Sequence, residues 1–117
     1  FADELALFMG EAFRLMDASD GESTYLRLST RNIRQIERAS DAWKADALKG
    51  AYWLHEPSGD AAIVAMGAVT PEALAAWEEL SADLPGLGLL SVTSPNLLHS
   101  GWSEALAGRW TGERRPS

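Results

Sequence analysis

The sequence predicts an α/β protein: an open three-layer fragment with one βαβ unit, preceded by a helix and a strand of an upstream domain. Three observations carry this. Ala61-Ala-Ile-Val-Ala-Met-Gly-Ala-Val69 is continuously apolar, as expected for a strand covered on both faces. Thr70-Pro71 then supplies a cap hydroxyl and a proline where a helix tolerates one, ahead of the stripe Leu74, Trp77, Leu80 and Leu84. Pro85-Gly86 stop that helix, and Leu87-Gly-Leu-Leu-Ser-Val92 reads as a second strand. Strand, helix and strand within about 30 residues form a parallel crossover unit, right-handed as such units are.

The elements follow in chain order. Leu5, Phe8, Ala12 and Leu15 recur at three- and four-residue steps, with Asp3 and Glu4 in the first turn. The spacing predicts an amphipathic helix over about 2–18, closed by the polar run through Gly21. Thr24-Tyr-Leu-Arg-Leu-Ser29 alternates, which predicts a short strand exposed on one face. From Thr30 to Gly50 the chain is polar, with only Ile33, Ile36 and Trp43 as large apolar anchors, and it reads as a connection between packed units. Ala51–His55 predicts a strand before the turn formers Pro57-Ser-Gly-Asp60. Ser94-Pro95 repeats the cap-plus-proline signal and opens a short helix carrying Leu97 and Leu98. Trp102, Ala105 and Leu106 continue it after a break at Ser100-Gly101.

Composition removes several classes of function. The 117 residues are 46% hydrophobic, too apolar for a disordered chain, yet no run approaches the ~20 residues of a membrane span. Zero cysteine excludes disulfide scaffolds and thiol chemistry and fits a cytoplasmic protein. A net charge of -7 argues against binding nucleic-acid phosphates. The charge is segregated. Residues 1–26 hold six acids and only Arg14; residues 27–49 carry Arg27, Arg31, Arg34, Arg38, Lys44 and Lys49; residues 50–108 contain seven acids and no Lys or Arg. The chain begins Phe-Ala-Asp without Met and ends Gly-Glu-Arg-Arg-Pro-Ser, which predicts a segment of a longer polypeptide.

Few residues point to chemistry. His55 and His99 have no ligand-type neighbour at metal spacing and read as structural histidines. No Gly-x-Ser-x-Gly elbow is present. Gly86-Leu-Gly88 follows a helix and opens a strand, the reverse of a dinucleotide fingerprint. Gly67–Pro71 joins a strand to a helix start and has the form of an anion-binding turn or of an ordinary βα turn. Glu78-Glu79 read as a solvated helix face, and Trp53 and Trp77 as core. The richest polar cluster is Arg27-Leu-Ser-Thr-Arg-Asn32, a strand end that delivers donors where open α/β sheets bind ligands. Its arginines suit a carboxylate or phosphate, or else surface ion pairs with the acidic remainder.

The order Tyr25-Leu-Arg-Leu-Ser-Thr-Arg-Asn32, Gly50-Ala-Tyr-Trp-Leu-His55, Val64–Val69 running into Pro71-Glu-Ala-Leu74, then Leu90-Ser-Val-Thr-Ser94 resembles thiamine-diphosphate enzymes of the transketolase type. The likeness covers essentially the whole chain and is nearest the homodimeric pyruvate dehydrogenase E1 component. It implies that residues 1–30 are the last helix and strand of a pyrimidine-binding domain, 31–48 a linker, and 49–117 an incomplete C-terminal α/β domain. It also implies that thiamine diphosphate and Mg2+ are bound by upstream regions of the parent enzyme. This chain then carries no catalytic, cofactor or metal residue and is inactive alone. The implied partners are the rest of the polypeptide, a homodimer mate and a lipoyl acyltransferase, with no nucleic acid and no membrane.

One departure bears on substrate. In sugar-phosphate transketolases the strand-end motif reads Leu-Ser-Arg-Gln-Asn, and its Arg grips phosphate. Here the run is Leu28-Ser-Thr-Arg-Asn32, with Thr30 at that place and Arg31 one position later. The shift favours a small 2-oxo acid and marks Thr30, Arg31 and Asn32 as substrate-proximal. The alternatives are a non-catalytic α/β interaction module and a sugar-phosphate ketol transferase.

Overall fold

The fold is taken from a computed structural model that describes residues 1–21 and 23–111, with side chains through Arg109. It is an α/β fragment with a βαβ unit. In chain order it comprises α1 (Ala2–Met16), α2 (Trp43–Ala47), β1 (Ala51–His55), β2 (Ala62–Met66), a 3-10 turn (Gly67–Val69), α3 (Thr70–Leu80), β3 (Gly88–Val92) and α4 (Pro95–Thr111). The strands form one sheet in the order β1-β3-β2, so β3 is central. β2 pairs parallel with β3, joined through α3, and β1 pairs antiparallel with β3.

The register sorts the side chains by face, because neighbours along a strand alternate. Tyr52, Ser91 and Ala65 lie in one row across the sheet and are all buried. Leu89, fully buried, belongs to the same face. The next row, Trp53, Leu90 and Val64, faces the other way, and Val64 is 62% exposed there. α3 packs on β2 and β3, where the Trp77 indole N–H donates to the Leu87 carbonyl at 2.7 Å. Removing Leu89 from that core would lose about 2–3 kcal/mol of apolar burial.

Gly50 joins α2 to β1 and ties the sheet to α4. Its φ of +119° is a conformation that side chains disfavour, and its carbonyl accepts the backbone N–H groups of Thr93 and Ser94 at 2.8 and 3.0 Å. The Thr93 hydroxyl completes the junction by donating to the Ala47 carbonyl at 2.6 Å.

Several sequence expectations are corrected. Residues 24–29 form no ladder among the described residues: Tyr25 and Leu28 are 85% and 62% exposed, and no described strand lies beside them. Alternation supplies a face, whereas a strand also requires a partner for its backbone groups. The apolar run 61–69 is a strand only to Met66. It lies at a sheet edge rather than covered on both faces, with Val64, Met66 and Val69 exposed. Thr70 does not cap α3: its hydroxyl donates back to the Gly67 carbonyl at 2.8 Å, clipping the 3-10 turn that leads into the helix. α4 runs unbroken through Ser100-Gly101, since one helical glycine costs only about 1 kcal/mol. With β3 central, the open edges of the sheet belong to β1 and β2.

Candidate functional site

Two features singled out in the sequence meet in space. The end of the Arg27–Asn32 cluster reaches the βα turn between β2 and α3. An ion pair joins the Arg31 guanidinium to the Glu72 carboxylate, and a second guanidinium N–H approaches the Ala68 carbonyl at 3.4 Å. The Ser29 hydroxyl accepts the backbone N–H of Arg31 at 3.1 Å, which shapes the bend leading to it. Hydrogen bonding from Arg31 holds the Glu72 carboxyl below its ordinary range. Both side chains of the pair are about half exposed, so its electrostatic worth is small.

Thr30 and Asn32 flank Arg31 and are exposed, as is the whole stretch 23–32. Of the three predicted substrate-proximal residues, only Arg31 has a hydrogen bond or ion pair to a distant part of the chain among the described residues. Two shallow concavities lie elsewhere. One of about 560 Å³ is lined by Phe13, Arg14, Met16 and Asp17; one of about 250 Å³ lies between Gly59–Ala61 and Leu84–Leu87.

A second polar cluster, not singled out in the sequence, is better built. Arg38 lies over the rings of Trp43, Tyr52 and Phe1, with its guanidinium carbon 4.3, 5.2 and 5.4 Å from their centroids. It donates to Asp3 through Nε at 2.7 Å and through Nη2 at 3.3 Å. The Tyr52 hydroxyl donates to Glu4 at 2.6 Å. The Gln35 side-chain carbonyl accepts the backbone N–H of Ala2 at 3.0 Å, capping α1 from the connecting segment.

The electrostatics follow from that geometry. Burial and the neighbouring Glu4 carboxylate push the Tyr52 phenol well above its ordinary value, so it stays a donor. Burial works against the Asp3 charge, but Arg38 and Gln35 outweigh it and hold the carboxyl low. Burial likewise opposes the Arg38 charge and is overcome by the hydrogen bond to Asp3, which raises its pKa. Every charge here is answered within the cluster, so the arrangement clasps α1 and the connecting segment onto β1. The buried Trp43 indole N–H has no partner among the described residues. The signal available beforehand was charge segregation: acids in the first turn of α1 and a basic stretch from residue 27.

The histidines are placed by aromatic contact. His55 stacks on Trp77 with centroids 3.5 Å apart and planes 6° from parallel, and burial lowers its pKa against the opposing charge of Glu78. His99 packs obliquely against Trp102 at 6.0 Å. Among the described residues no group of three His, Cys, Asp or Glu is arranged to hold a metal ion. Nor, among them, is any helix long and apolar enough to cross a membrane. No protein-family profile, no curated protein and no solved structure matches the chain.

Proposed function

We propose that this chain is the junction segment of a cytoplasmic, thiamine-diphosphate-dependent 2-oxo acid dehydrogenase of the pyruvate dehydrogenase E1 type. In that reading it spans the end of a pyrimidine-binding domain, a linker and the start of a C-terminal domain. It supplies dimerisation surface and the wall of the active-site channel. The upstream regions of the parent bind thiamine diphosphate and Mg2+, and the acyl group passes to a lipoyl acyltransferase. This chain contributes no residue to the cofactor.

The observation that carries the reading is the position of Arg31. It ends a donor-rich segment and meets the first turn of α3, beside the carboxyl end of a parallel strand, where open α/β sheets take their ligands. A guanidinium there offers a planar fork to a carboxylate. Its present partner, Glu72, is itself a carboxylate, so the guanidinium already holds a group of the kind a 2-oxo acid presents.

Isothermal titration of the 117-residue chain with thiamine diphosphate and Mg2+ is expected to give no binding heat, and the reading frame upstream of Phe1 to encode a Gly-Asp-Gly…Asn motif. Micromolar binding by the chain, or an upstream frame without that motif, would overturn the reading. A second reading, a non-catalytic interaction module, draws on exposed Val64 and Met66 and is favoured by the latter result.

A further inference from the structure

We propose that Glu72 is a positioning residue: together with the Ala68 carbonyl it holds the Arg31 guanidinium in place to receive a substrate carboxylate. This deepens the proposed function and rests on it. Both anchors come from one short stretch of chain. Nη2 of Arg31 meets the Glu72 carboxylate, and Nη1 approaches the Ala68 carbonyl at 3.4 Å. A guanidinium carries more N–H donors than these contacts use, and the Arg31 Nε–H has no partner among the described residues. Donors therefore remain for a ligand after the side chain has been fixed. The anchoring is also selective. Arg27 and Arg34, on the same connecting stretch, make no ion pair among the described residues.

The turn that supplies the two anchors is itself held from below. Gly67 leaves β2 at a φ of +71°, a backbone conformation that glycine adopts without strain. Thr70, only 3% exposed, donates its hydroxyl to the Gly67 carbonyl at 2.8 Å. That buried clip sets the Ala68 carbonyl relative to the first turn of α3, which carries Glu72. On the other side, the bend at Ser29 fixes the backbone from which Arg31 reaches. A half-exposed ion pair contributes little to stability. The effect of losing Glu72 is therefore expected in substrate affinity and not in the melting temperature.

The sign of one constant separates positioning from mere proximity. A carboxylate that acted on an anionic substrate through its charge alone would repel it, so removing that charge would lower KM. Positioning predicts the reverse. In the intact parent polypeptide, supplied with thiamine diphosphate and Mg2+, Glu72→Gln is expected to raise KM for pyruvate about 5-fold. Its kcat and thermal midpoint should stay close to the wild-type values. Glu72→Asp keeps the charge but is one methylene shorter, and it is expected to raise KM as well. A KM that falls or does not move in Glu72→Gln, while Arg31→Ala lowers kcat/KM, overturns the proposal and leaves the enzymatic reading standing. So does a wild-type KM in Glu72→Asp. If Arg31→Ala is itself without effect on pyruvate turnover, the enzymatic reading fails and the role of Glu72 falls with it.

Discussion

Arg38 does the work of a small core in a part of the chain that has few apolar residues. Its guanidinium satisfies Asp3 and covers three rings, so the connecting segment is fixed at one charged side chain rather than along a stripe. Arg38→Ala is expected to cost about 2–3 kcal/mol by urea unfolding, because it leaves a partly buried carboxylate unanswered and loses the cation–ring contacts. Arg38→Lys should recover only part, since an ammonium lacks the planar fork. Asp3 gives the same contact a pH signature. Its folded pKa lies below the ordinary 3.8, so its stabilisation is complete above that pH and is lost as pH falls below it. Thermal midpoints of the wild type and Asp3→Asn should therefore differ near neutrality and converge in acid. None of this was legible residue by residue, because Arg38 and Tyr52 are 14 positions apart and nothing in either neighbourhood marks the pair. The charge blocks showed only that 1–26 and 27–49 would attract.

At the scale of elements, local signals were sufficient where a segment's partner was close in sequence. α1, β1, β2, α3 and β3 all occur within a few residues of where periodicity and turn chemistry put them. They failed where the answer depended on a distant neighbour. The alternation at 24–29 has the form of a strand, but no ladder forms there, and the edge position of β2 cannot be read from its apolar run. The α2–β1 junction is the element-level point most open to test. A Cβ at Gly50 would stand 2.9 Å from the Ser94 carbonyl oxygen and 3.1 Å from the Leu98 side chain, at a φ that already disfavours it. Gly50→Ala is expected to destabilise the chain by about 1–3 kcal/mol and lower its thermal midpoint, loosening β1 and α4 together. A neutral effect would mean that this junction does not hold α4.

The whole molecule is organised by charge more than by a single large core. Its Cα radius of gyration is 16.4 Å, against about 13 Å for a globular domain of this length, so much of its apolar surface faces outward. Exposed Val64, Met66, Leu97, Leu98 and Trp102 belong to the base-free stretch 50–108, and the arginines that reach across the fold come from the basic stretch before it. Arg38 answers the acids of α1, and Arg31 answers Glu72 at the start of α3. The candidate site was legible as a cluster because its residues are contiguous; its meeting with the Gly67–Glu72 turn was not, since 37 residues separate Arg31 from Ala68. The role proposed for Arg31 is selection of a single carboxylate. The most direct measurement is turnover of the intact parent polypeptide, supplied with thiamine diphosphate and Mg2+, on pyruvate and on xylulose 5-phosphate. Release of CO2 from pyruvate is expected, with kcat/KM lowered about 10-fold or more by Arg31→Ala. Preferential turnover of xylulose 5-phosphate, or pyruvate turnover indifferent to Arg31, would contradict it.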